Sequence, residues 1–166
     1  MTYQEFEAMY VADLHRAVAD AKALTAALPK LAEASADPEL AAAFKAHLVE
    51  AEQQIPRLEQ LIAEHGTTIA GIDGGAMEAL TAQALRVAEA MKPDALRDMA
   101  VIAAVQRIQH FRIATYGTLA AYAKLLDRHE EKRVLGAILE EERAIDEDLT
   151  VIAADLIGAN RDVVAA

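Results

Sequence analysis

Hydrophobic residues recur at alternating intervals of four and three along most of the chain, the spacing that lines one face of an α-helix. Four such seams can be followed. They comprise Tyr10, Leu14, Ala17, Ala21, Leu24 and Leu28; then Phe44, Leu48, Ala51, Ile55, Leu58 and Ile62; then Val101, Val105, Ile108, Arg112, Thr115, Leu119, Tyr122 and Leu126; and finally Leu135, Ile138, Glu142, Ile145, Leu149, Ile152 and Leu156. Seams of this kind are typical of helices packed in a bundle, and the alanines allow the helices to approach closely.

Residues that start or stop helices divide the chain into five predicted helices. These cover approximately 2–35, 38–65, 76–91, 94–126 and 128–158. Asp37 followed by Pro38 favours a helix start, because the carboxylate caps free amide groups and proline needs no donor in the first turn. Asp127 with Glu130 matches a capping box for the last helix. Gly66 is the expected stop of the second helix.

Two prolines fall inside predicted helices. Pro29 predicts a kink or break near Leu28, because proline removes a backbone hydrogen bond and its ring clashes with the preceding turn. Pro56 predicts a local bend in the second helix, convex toward solvent. The residues after Gly158 are expected to fray.

The connections between helices indicate the topology. Short links join the first helix to the second and the fourth to the fifth, which predicts two antiparallel hairpins. The glycine-rich link after residue 66 carries its own helix, and it can return the chain along the bundle so that the second and fourth helices run parallel. We therefore predict an all-α fold in one domain, 1–166: a ferritin-like four-helix bundle with an additional crossover helix.

Composition and charge narrow the function. The chain is 54% hydrophobic and 26% charged, with 39 alanines among 166 residues and no cysteine. The absence of cysteine excludes disulfides, cysteine-bound zinc, iron–sulfur clusters and thiol catalysis. A net charge of -11 argues against nucleic acid and membrane surfaces as partners. No signal-peptide pattern is visible, and the uncharged run 113–123 is too short to span a membrane, so we expect a cytoplasmic protein.

Two charged residues interrupt otherwise apolar seams. Arg112 lies about sixteen residues before the turn between the fourth and fifth helices and Asp146 about eighteen after it, so these two are nearly level, and Glu142 is one helical turn away. A buried charge is costly unless it is paired, so Arg112 is expected to bridge Glu142 and Asp146. The alternative is that Arg112 extends to solvent along its aliphatic stem.

Further polar residues converge on the middle of the predicted bundle. They are Glu50 and Gln54 on the second helix, and Gln106, Gln109 and His110 on the fourth. A di-metal carboxylate site in a bundle uses one Glu from each of two helices and a Glu-x-x-His pair from each of two others. No Glu-x-x-His occurs here, and His47 precedes Glu50 in the reverse order. Glu142 and Asp146 form a usable carboxylate pair, but spacing alone gives little support for a metal site.

Several blocks of the sequence are shared, in order, with a known family. They are Met-Tyr-Val-Ala-Asp-Leu at 9–14, Ala-Leu-Pro-Lys-Leu-Ala at 27–32, Pro-Glu-Leu-Ala-Ala-Ala-Phe-Lys-Ala-His-Leu at 38–48, Arg-Leu-Glu-Gln at 57–60, Ala-Met-Glu-Ala-Leu at 76–80, His-Phe-Arg-Ile-Ala-Thr-Tyr-Gly-Thr-Leu at 110–119 and Glu-Glu-Arg-Ala-Ile-Asp-Glu-Asp-Leu-Thr at 141–150. Over nearly its whole length the chain resembles the YciE/YciF-like ferritin-like family of bacteria. The resemblance implies a dimeric ferritin-like bundle associated with stress, whose relatives can carry a carboxylate metal site.

The chain departs from the family pattern at the metal site. Ala21 stands where the family usually has Glu, and the usual Glu-His-Tyr-Glu of the fourth helix reads Gln-His-Phe-Arg at 109–112. Positions that match the pattern are Glu50, Gln54, Glu142 and Asp146. Three acidic positions are thus lost and one of them is a cation, which implies a degenerate metal centre with Arg112 neutralising the carboxylates. Asp20 is not expected to compensate, because adjacent helical residues point about 100° apart.

These observations lead to one main functional hypothesis and two alternatives. The main hypothesis is a non-catalytic, stress-associated homodimer without a cofactor and with no identified protein partner. Its polar cluster comprises Glu50, Gln54, Gln109, His110, Arg112, Glu142 and Asp146. The first alternative is a metal-binding protein or oxidase of di-iron type, holding iron or another divalent metal at Glu50, Glu142 and Asp146.

The second alternative and the predicted dimer both rest on additional apolar stripes. A partner-binding module would use the stripe on the crossover helix: Met77, Leu80, Ala84, Val87 and Met91. The dimer would use a second stripe on the fourth helix: Met99, Ile102, Ile113, Tyr116, Ala120 and Ala123. His15, His65 and His129 are expected at the surface or at helix ends.

Overall fold

Five α-helices make up the regular structure of the described residues. The computed structural model describes residues 2–65 and 75–160, and within these ranges no strand occurs. The helices are α1 (Tyr3–Ala34), α2 (Pro38–Ala63), α3 (Gly75–Ala90), α4 (Ala95–Leu125) and α5 (His129–Ala159). Each corresponds to one predicted helix, with ends that differ by no more than two residues. None of the described helices is long and apolar enough to cross a membrane. The predicted stop at Gly66 and the frayed tail beyond residue 160 lie outside the described residues.

Side-chain caps fix where three of the helices begin. The Asp37 carboxylate accepts hydrogen bonds from the backbone N–H groups of Glu39, at 2.8 Å, and Leu40, at 3.0 Å, as the sequence predicts. Thr2 and Glu5 form a capping box at the start of α1. Asp94 caps α4. These bonds satisfy amide groups that have no partner within the helix.

The predicted capping box at the start of α5 is wrong. Asp127 has a backbone φ of 56°, in the left-handed region, and the N-cap of α5 is Arg128, whose side chain makes no capping bond. The N–H of Arg128 donates to the carbonyl of Ala123 and the N–H of Asp127 to that of Lys124. This pair of bonds is the Schellman motif, so Asp127 ends α4 rather than starting α5. Aspartate tolerates the left-handed conformation better than most residues.

Of the kink or break predicted near Leu28, the break does not occur, because α1 continues without interruption past Pro29. Leu28 and Leu31, on either side of the proline, are fully buried. Their packing holds the helix together across the one missing backbone bond. Pro56 also lies within α2, at an exposed position.

Contacts at the two ends of the long helices establish their directions. At the start of α4, Asp98 accepts hydrogen bonds from the backbone N–H groups of Ala36 and Asp37, in the link between α1 and α2. At the opposite end, Tyr10 near the start of α1 donates to Glu131 near the start of α5, at 2.6 Å. Since α4 begins where α2 begins, these two helices run parallel, and each is antiparallel to its hairpin partner.

The crossover helix α3 packs against α1 and α4. Met77 and Ala84 of its apolar stripe are fully buried, and Leu80 and Val87 pack against the same core. The stripe therefore covers the bundle, and the hypothesis that it forms a free partner-binding surface is wrong.

The second stripe on α4, which motivated the predicted dimer, is largely covered within the single chain. Ile102, Tyr116 and Ala123 are each at most 1% exposed. Met99 and Ala120 are partly buried and pack against the core. Other helices of the same chain thus cover most of this stripe.

The core consists of two apolar clusters, one toward each end of the bundle. One includes Leu24, Leu28, Phe44, Ala51, Val105, Ile108, Ile145 and Leu149. The other includes Tyr10, Leu14, Ala17, Leu58, Tyr116, Leu119, Leu135 and Ile138. Buried polar side chains lie between the clusters along the helices, and four of them are joined by hydrogen bonds: Gln54, Gln109, Arg112 and Glu142. We call these four residues the polar layer.

Candidate functional site

Arg112 lies at the centre of the polar layer and is the largest fully buried side chain of the described residues. Its Nε donates to Oε2 of Glu142 at 2.8 Å, and its Nη2 donates to Oε1 of Glu142 at 2.7 Å. The side chains are 1% and 0% exposed. Two parallel bonds between a guanidinium and a carboxylate form the strongest and most directional type of ion pair. The alternative that Arg112 extends into solvent is therefore wrong.

The two glutamines of the polar layer add further hydrogen bonds to this pair. Arg112 Nη2 also donates to Oε1 of Gln54, on α2. Gln109, on α4, donates through Nε2 to Oε2 of Glu142 at 3.0 Å. Glu142 thus accepts bonds from two side chains, and three long helices are joined at one height.

The network reaches the surface between α2 and α5. Gln54 Nε2 donates to Oε2 of Glu141 at 3.1 Å, and Arg57 Nη1 donates to both oxygens of Glu141, at 2.7 and 2.9 Å. Arg57 and Glu141 are each 33% exposed. The sequence did not single out this second pair, because neither residue interrupts an apolar seam.

Tyr116 covers one face of Arg112. The guanidinium carbon lies 5.2 Å from the centre of the Tyr116 ring, a distance suited to a cation–π contact. Burial raises the pKa of Tyr116 to about 12, although the positive charge of Arg112 opposes the shift. Arg112 Nη1 and the Tyr116 hydroxyl have no hydrogen-bond partner among the described residues.

The electrostatics keep both partners of the central pair charged. Burial raises the pKa of Glu142, but the charge of Arg112 and its hydrogen bonds outweigh this and hold the pKa below its usual value. Burial lowers the pKa of Arg112, and the neighbouring Tyr116 and Glu142 more than reverse that effect. The pair is therefore ionic at neutral pH.

Asp20 approaches the polar layer from α1, beside the fully buried Ala21. It is 5% exposed, and burial raises the pKa of its carboxyl to about 6 against the opposing charges of Arg112 and Arg16. No hydrogen bond joins Asp20 to Arg112 within the described residues. Asp20 thus lies in the field of the guanidinium without a direct bond to it.

His47 flanks the polar layer on α2. It is 2% exposed, and neither ring nitrogen has a hydrogen-bond partner among the described residues. Burial lowers the pKa of its imidazole to about 4; the charge of Glu142 opposes the shift and that of Arg112 adds to it. His47 is therefore neutral at pH 7. In the sequence it stood out only because it precedes Glu50 by three residues, the reverse of the Glu-x-x-His order.

Three residues of the predicted polar cluster lie apart from it. Glu50 is exposed. His110 is 69% exposed on its side chain, and its Nε2 lies 3.6 Å from Oδ2 of the half-buried Asp146. Among the residues described, no three histidine or carboxylate side chains are arranged to hold a metal ion. The candidate ligands Glu50, Glu142 and Asp146 are thus not brought together.

A second buried polar cluster joins α1, α2 and α5 at one end of the bundle. Glu131 accepts bonds from the Tyr10 hydroxyl at 2.6 Å and from Arg128 at 3.1 Å, and His65 Nε2 lies 3.0 Å from the same carboxylate. Arg128 also contacts Glu7. The His65 side chain is 2% exposed and lies just beyond the end of α2, at one of the two kinds of position that the sequence predicts for it. Burial, followed by the hydrogen bond to Glu131, raises the pKa of Tyr10 above its usual value.

Comparisons with known proteins match almost the whole chain. The family model described as Domain of unknown function (DUF892) matches residues 5–161. Protein YciF of Escherichia coli (strain K12) is 38% identical over 154 residues, which cover 92% of this chain and 93% of that protein. The crystal structure of the E. coli stress protein YciF has a TM-score of 0.85 and 36% identity, over 92% of this chain and 97% of that one. YcfI, a putative structural protein from Rhodopseudomonas palustris, has a TM-score of 0.83 and 30% identity, over 90% and 94%.

Proposed function

We propose that this chain, which belongs to the family described as Domain of unknown function (DUF892), is a non-catalytic, stress-associated ferritin-like bundle protein. In this proposal the Arg112–Glu142 pair replaces the metal that relatives can hold. The parallel α2 and α4, joined through the crossover helix α3, support the ferritin-like arrangement. The stress association is supported by the description of the E. coli relative as a stress protein. The non-catalytic role is supported by the description of the R. palustris relative as a putative structural protein.

One observation carries the proposal: both carboxylate oxygens of Glu142 are bound to Arg112 in the middle of the core. A divalent cation at this position would need those oxygens as ligands and would face a fixed positive charge. The guanidinium supplies the same neutralising charge, and its planar fork matches the carboxylate.

The alternative is a metal-binding protein of di-iron type. It would require Glu142 to release Arg112, leaving the guanidinium buried without its charge partner, which is strongly unfavourable. It would also require the exposed Glu50 to turn inward to join Asp146.

The two hypotheses can be separated by restoring the acidic residues that the chain lacks. The triple variant Ala21→Glu/Gln109→Glu/Arg112→Glu recreates the carboxylate set that the family resemblance implies. We expect Mn²⁺, Fe²⁺ or Zn²⁺ to raise the melting temperature of this variant and to leave that of the unmodified protein unchanged. An equal increase in both proteins would favour the metal-binding alternative.

We also propose that the protein acts as a cytoplasmic homodimer. The absence of cysteine suits a reducing compartment, and the resemblance to the family supports the dimer. Light scattering should give twice the mass of one chain. A single-chain mass at high concentration would contradict the dimer.

A further inference from the structure

A small cavity lies between α2 and α5, beside the buried His47. Its volume is about 60 Å³, and its apolar wall includes Phe44, Ile145 and Leu149. The polar residues that line it are His47, Glu50 and Asp148. Of these, only His47 is buried.

The cavity continues into a larger groove along the same two helices. Asp148 and two alanines, Ala43 and Ala46, line both spaces. The groove has a volume of about 430 Å³ and extends to Glu39 and Val151. We call the cavity and the groove together the α2–α5 cleft.

His47 is the first indication that the cleft binds a ligand. Its imidazole is 2% exposed, lines the cavity and has no partner for either nitrogen among the described residues. A neutral imidazole presents one N–H donor and one lone pair, and buried groups of this kind are nearly always hydrogen-bonded. A ligand that enters the cavity with an N–H donor would satisfy the lone pair.

Charge indicates what kind of ligand the cleft favours. Its charged lining residues are the carboxylates Glu39, Glu50 and Asp148, and no lysine or arginine of the described ranges 2–65 and 75–160 lines it. Burial raises the pKa of Glu50, and the nearby Glu141 and Glu142 add to the shift, as expected in a negative local potential. The whole chain has a net charge of -11. These charges favour a cation over an anion.

The shape of the cleft favours a linear organic cation over a metal ion. The described residues hold no group of three ligands placed for a metal. Alanines and Val151 separate the carboxylates, and such an apolar wall suits a methylene chain. His47 and Glu39 lie on one helix at a separation of about 12 Å, which is comparable to the length of an extended linear triamine.

We propose that the α2–α5 cleft binds a linear aliphatic polyamine, with one terminal ammonium group in the cavity as a hydrogen-bond donor to His47. The remaining amino groups lie beside Asp148 and Glu39, and the methylene segments lie on the alanines. This inference does not depend on the proposed replacement of a metal by Arg112.

The test is a calorimetric titration of the folded full-length protein with spermidine at physiological ionic strength. Mg²⁺ and propylamine serve as comparison ligands, one for charge alone and one for a single ammonium group. We expect saturable binding of one spermidine per chain, weaker binding of propylamine and no competition from equimolar Mg²⁺. The ring-nitrogen NMR signals of His47 should shift on binding, and those of the exposed His129 should not.

Two variants and a matched control locate the site. His47→Leu removes the acceptor and should weaken spermidine binding about tenfold or more, as expected for a hydrogen bond to a charged group. Glu50→Gln, at an exposed position where folding is not at stake, should weaken it about two- to fivefold. Glu52→Gln makes the same charge change on the exposed surface of α2, outside the cleft lining, and should leave the affinity unchanged.

Three results would overturn the proposal. The first is the absence of saturable binding to the unmodified protein. The second is an affinity that Glu50→Gln and Glu52→Gln lower equally, which would indicate diffuse attraction to an acidic surface. The third is spermidine binding that leaves the His47 ring signals unchanged.

Discussion

Arg112 of α4 and Glu142 of α5 are joined at two points, with Nε 2.8 Å from Oε2 and Nη2 2.7 Å from Oε1, between the two apolar clusters of the core. An isolated charge at this depth would be strongly unfavourable, so each residue depends on the other. The pair therefore links the two helices of the second hairpin at a defined height. Gln54 extends the link to α2.

Removing one partner should be far more costly than removing an exposed charge. Arg112→Ala leaves Glu142 buried without its counter-charge, and we expect the free energy of unfolding to fall by about 3–5 kcal/mol. Urea unfolding of both proteins measures the difference. Arg133→Ala is a matched control, because Arg133 pairs with Glu130 at a side-chain exposure of 71% and 81%, and its loss should stay within about 0.5 kcal/mol. Equal losses in the two variants would show that the buried pair has no special role.

Replacing both partners should be less costly than the two single changes suggest. Arg112→Met and Glu142→Leu each leave one charge stranded, whereas the double variant leaves none. We expect its loss of stability to be smaller than the sum of the single losses by roughly 3 kcal/mol or more. A double-mutant cycle in urea measures this difference, and additive losses would be inconsistent with a directly coupled pair.

His47 should make the protein less stable in mild acid. The pKa of its imidazole is about 4 in the folded protein and 6.5 when the ring is fully solvated, so the unfolded chain binds the extra proton between these values. Stability is therefore full above about pH 6.5 and decreases by about 3 kcal/mol as the pH falls to 4. Urea unfolding from pH 7.5 to pH 4 measures the slope. His47→Leu should flatten it, whereas His129→Leu, at an exposed position, should not.

Asp20 should have the opposite effect on the pH dependence. Burial raises its pKa from 3.8 to about 6, so the folded protein holds a proton that the unfolded chain releases between these values. Its contribution to stability is present below pH 3.8 and is lost as the pH rises to about 6. The change in the free energy of unfolding caused by Asp20→Asn should therefore be more favourable at pH 7 than at pH 4. Asp155→Asn, at an exposed position on α5, should show no such difference.

The second buried polar cluster, around Glu131, predicts that the hydroxyl of Tyr10 contributes to stability. Tyr10→Phe removes a hydrogen bond to the buried Glu131 without changing the ring, and we expect a loss of about 1–3 kcal/mol. Thermal unfolding compares it with Tyr3→Phe, where the ring is 58% exposed and little change is expected. A neutral effect of Tyr10→Phe would mean that water replaces the hydroxyl at Glu131.

The sequence predicted the five helices and the family resemblance, which the family match confirms. It also pointed to Arg112 and Glu142, because both interrupt apolar seams and lie within about one helical turn of the same level along the second hairpin. Periodicity specifies which side of a helix faces the core, and the number of residues from the hairpin turn specifies how far along the bundle axis each residue lies. Those two constraints were enough to bring two residues on neighbouring helices together.

Other features depend on information that one helix does not contain. Asp127 matches a capping box and also suits a left-handed helix end, and the local sequence does not choose between them. Glu50 flanks a seam, where a small rotation of α2 decides whether a side chain is buried or exposed. The contact of His65 with Glu131 brings together residues 66 positions apart, at the ends of two helices that no short link connects.

The metal content of the unmodified protein tests most directly whether Arg112 replaces a metal ion in the core. The protein would be purified without chelator, incubated with Fe²⁺, Mn²⁺ and Zn²⁺, desalted and subjected to elemental analysis. We expect far less than one transition-metal ion per chain, with Arg112 still bound to Glu142. A stoichiometric metal ion that is lost in Glu142→Gln would contradict the replacement.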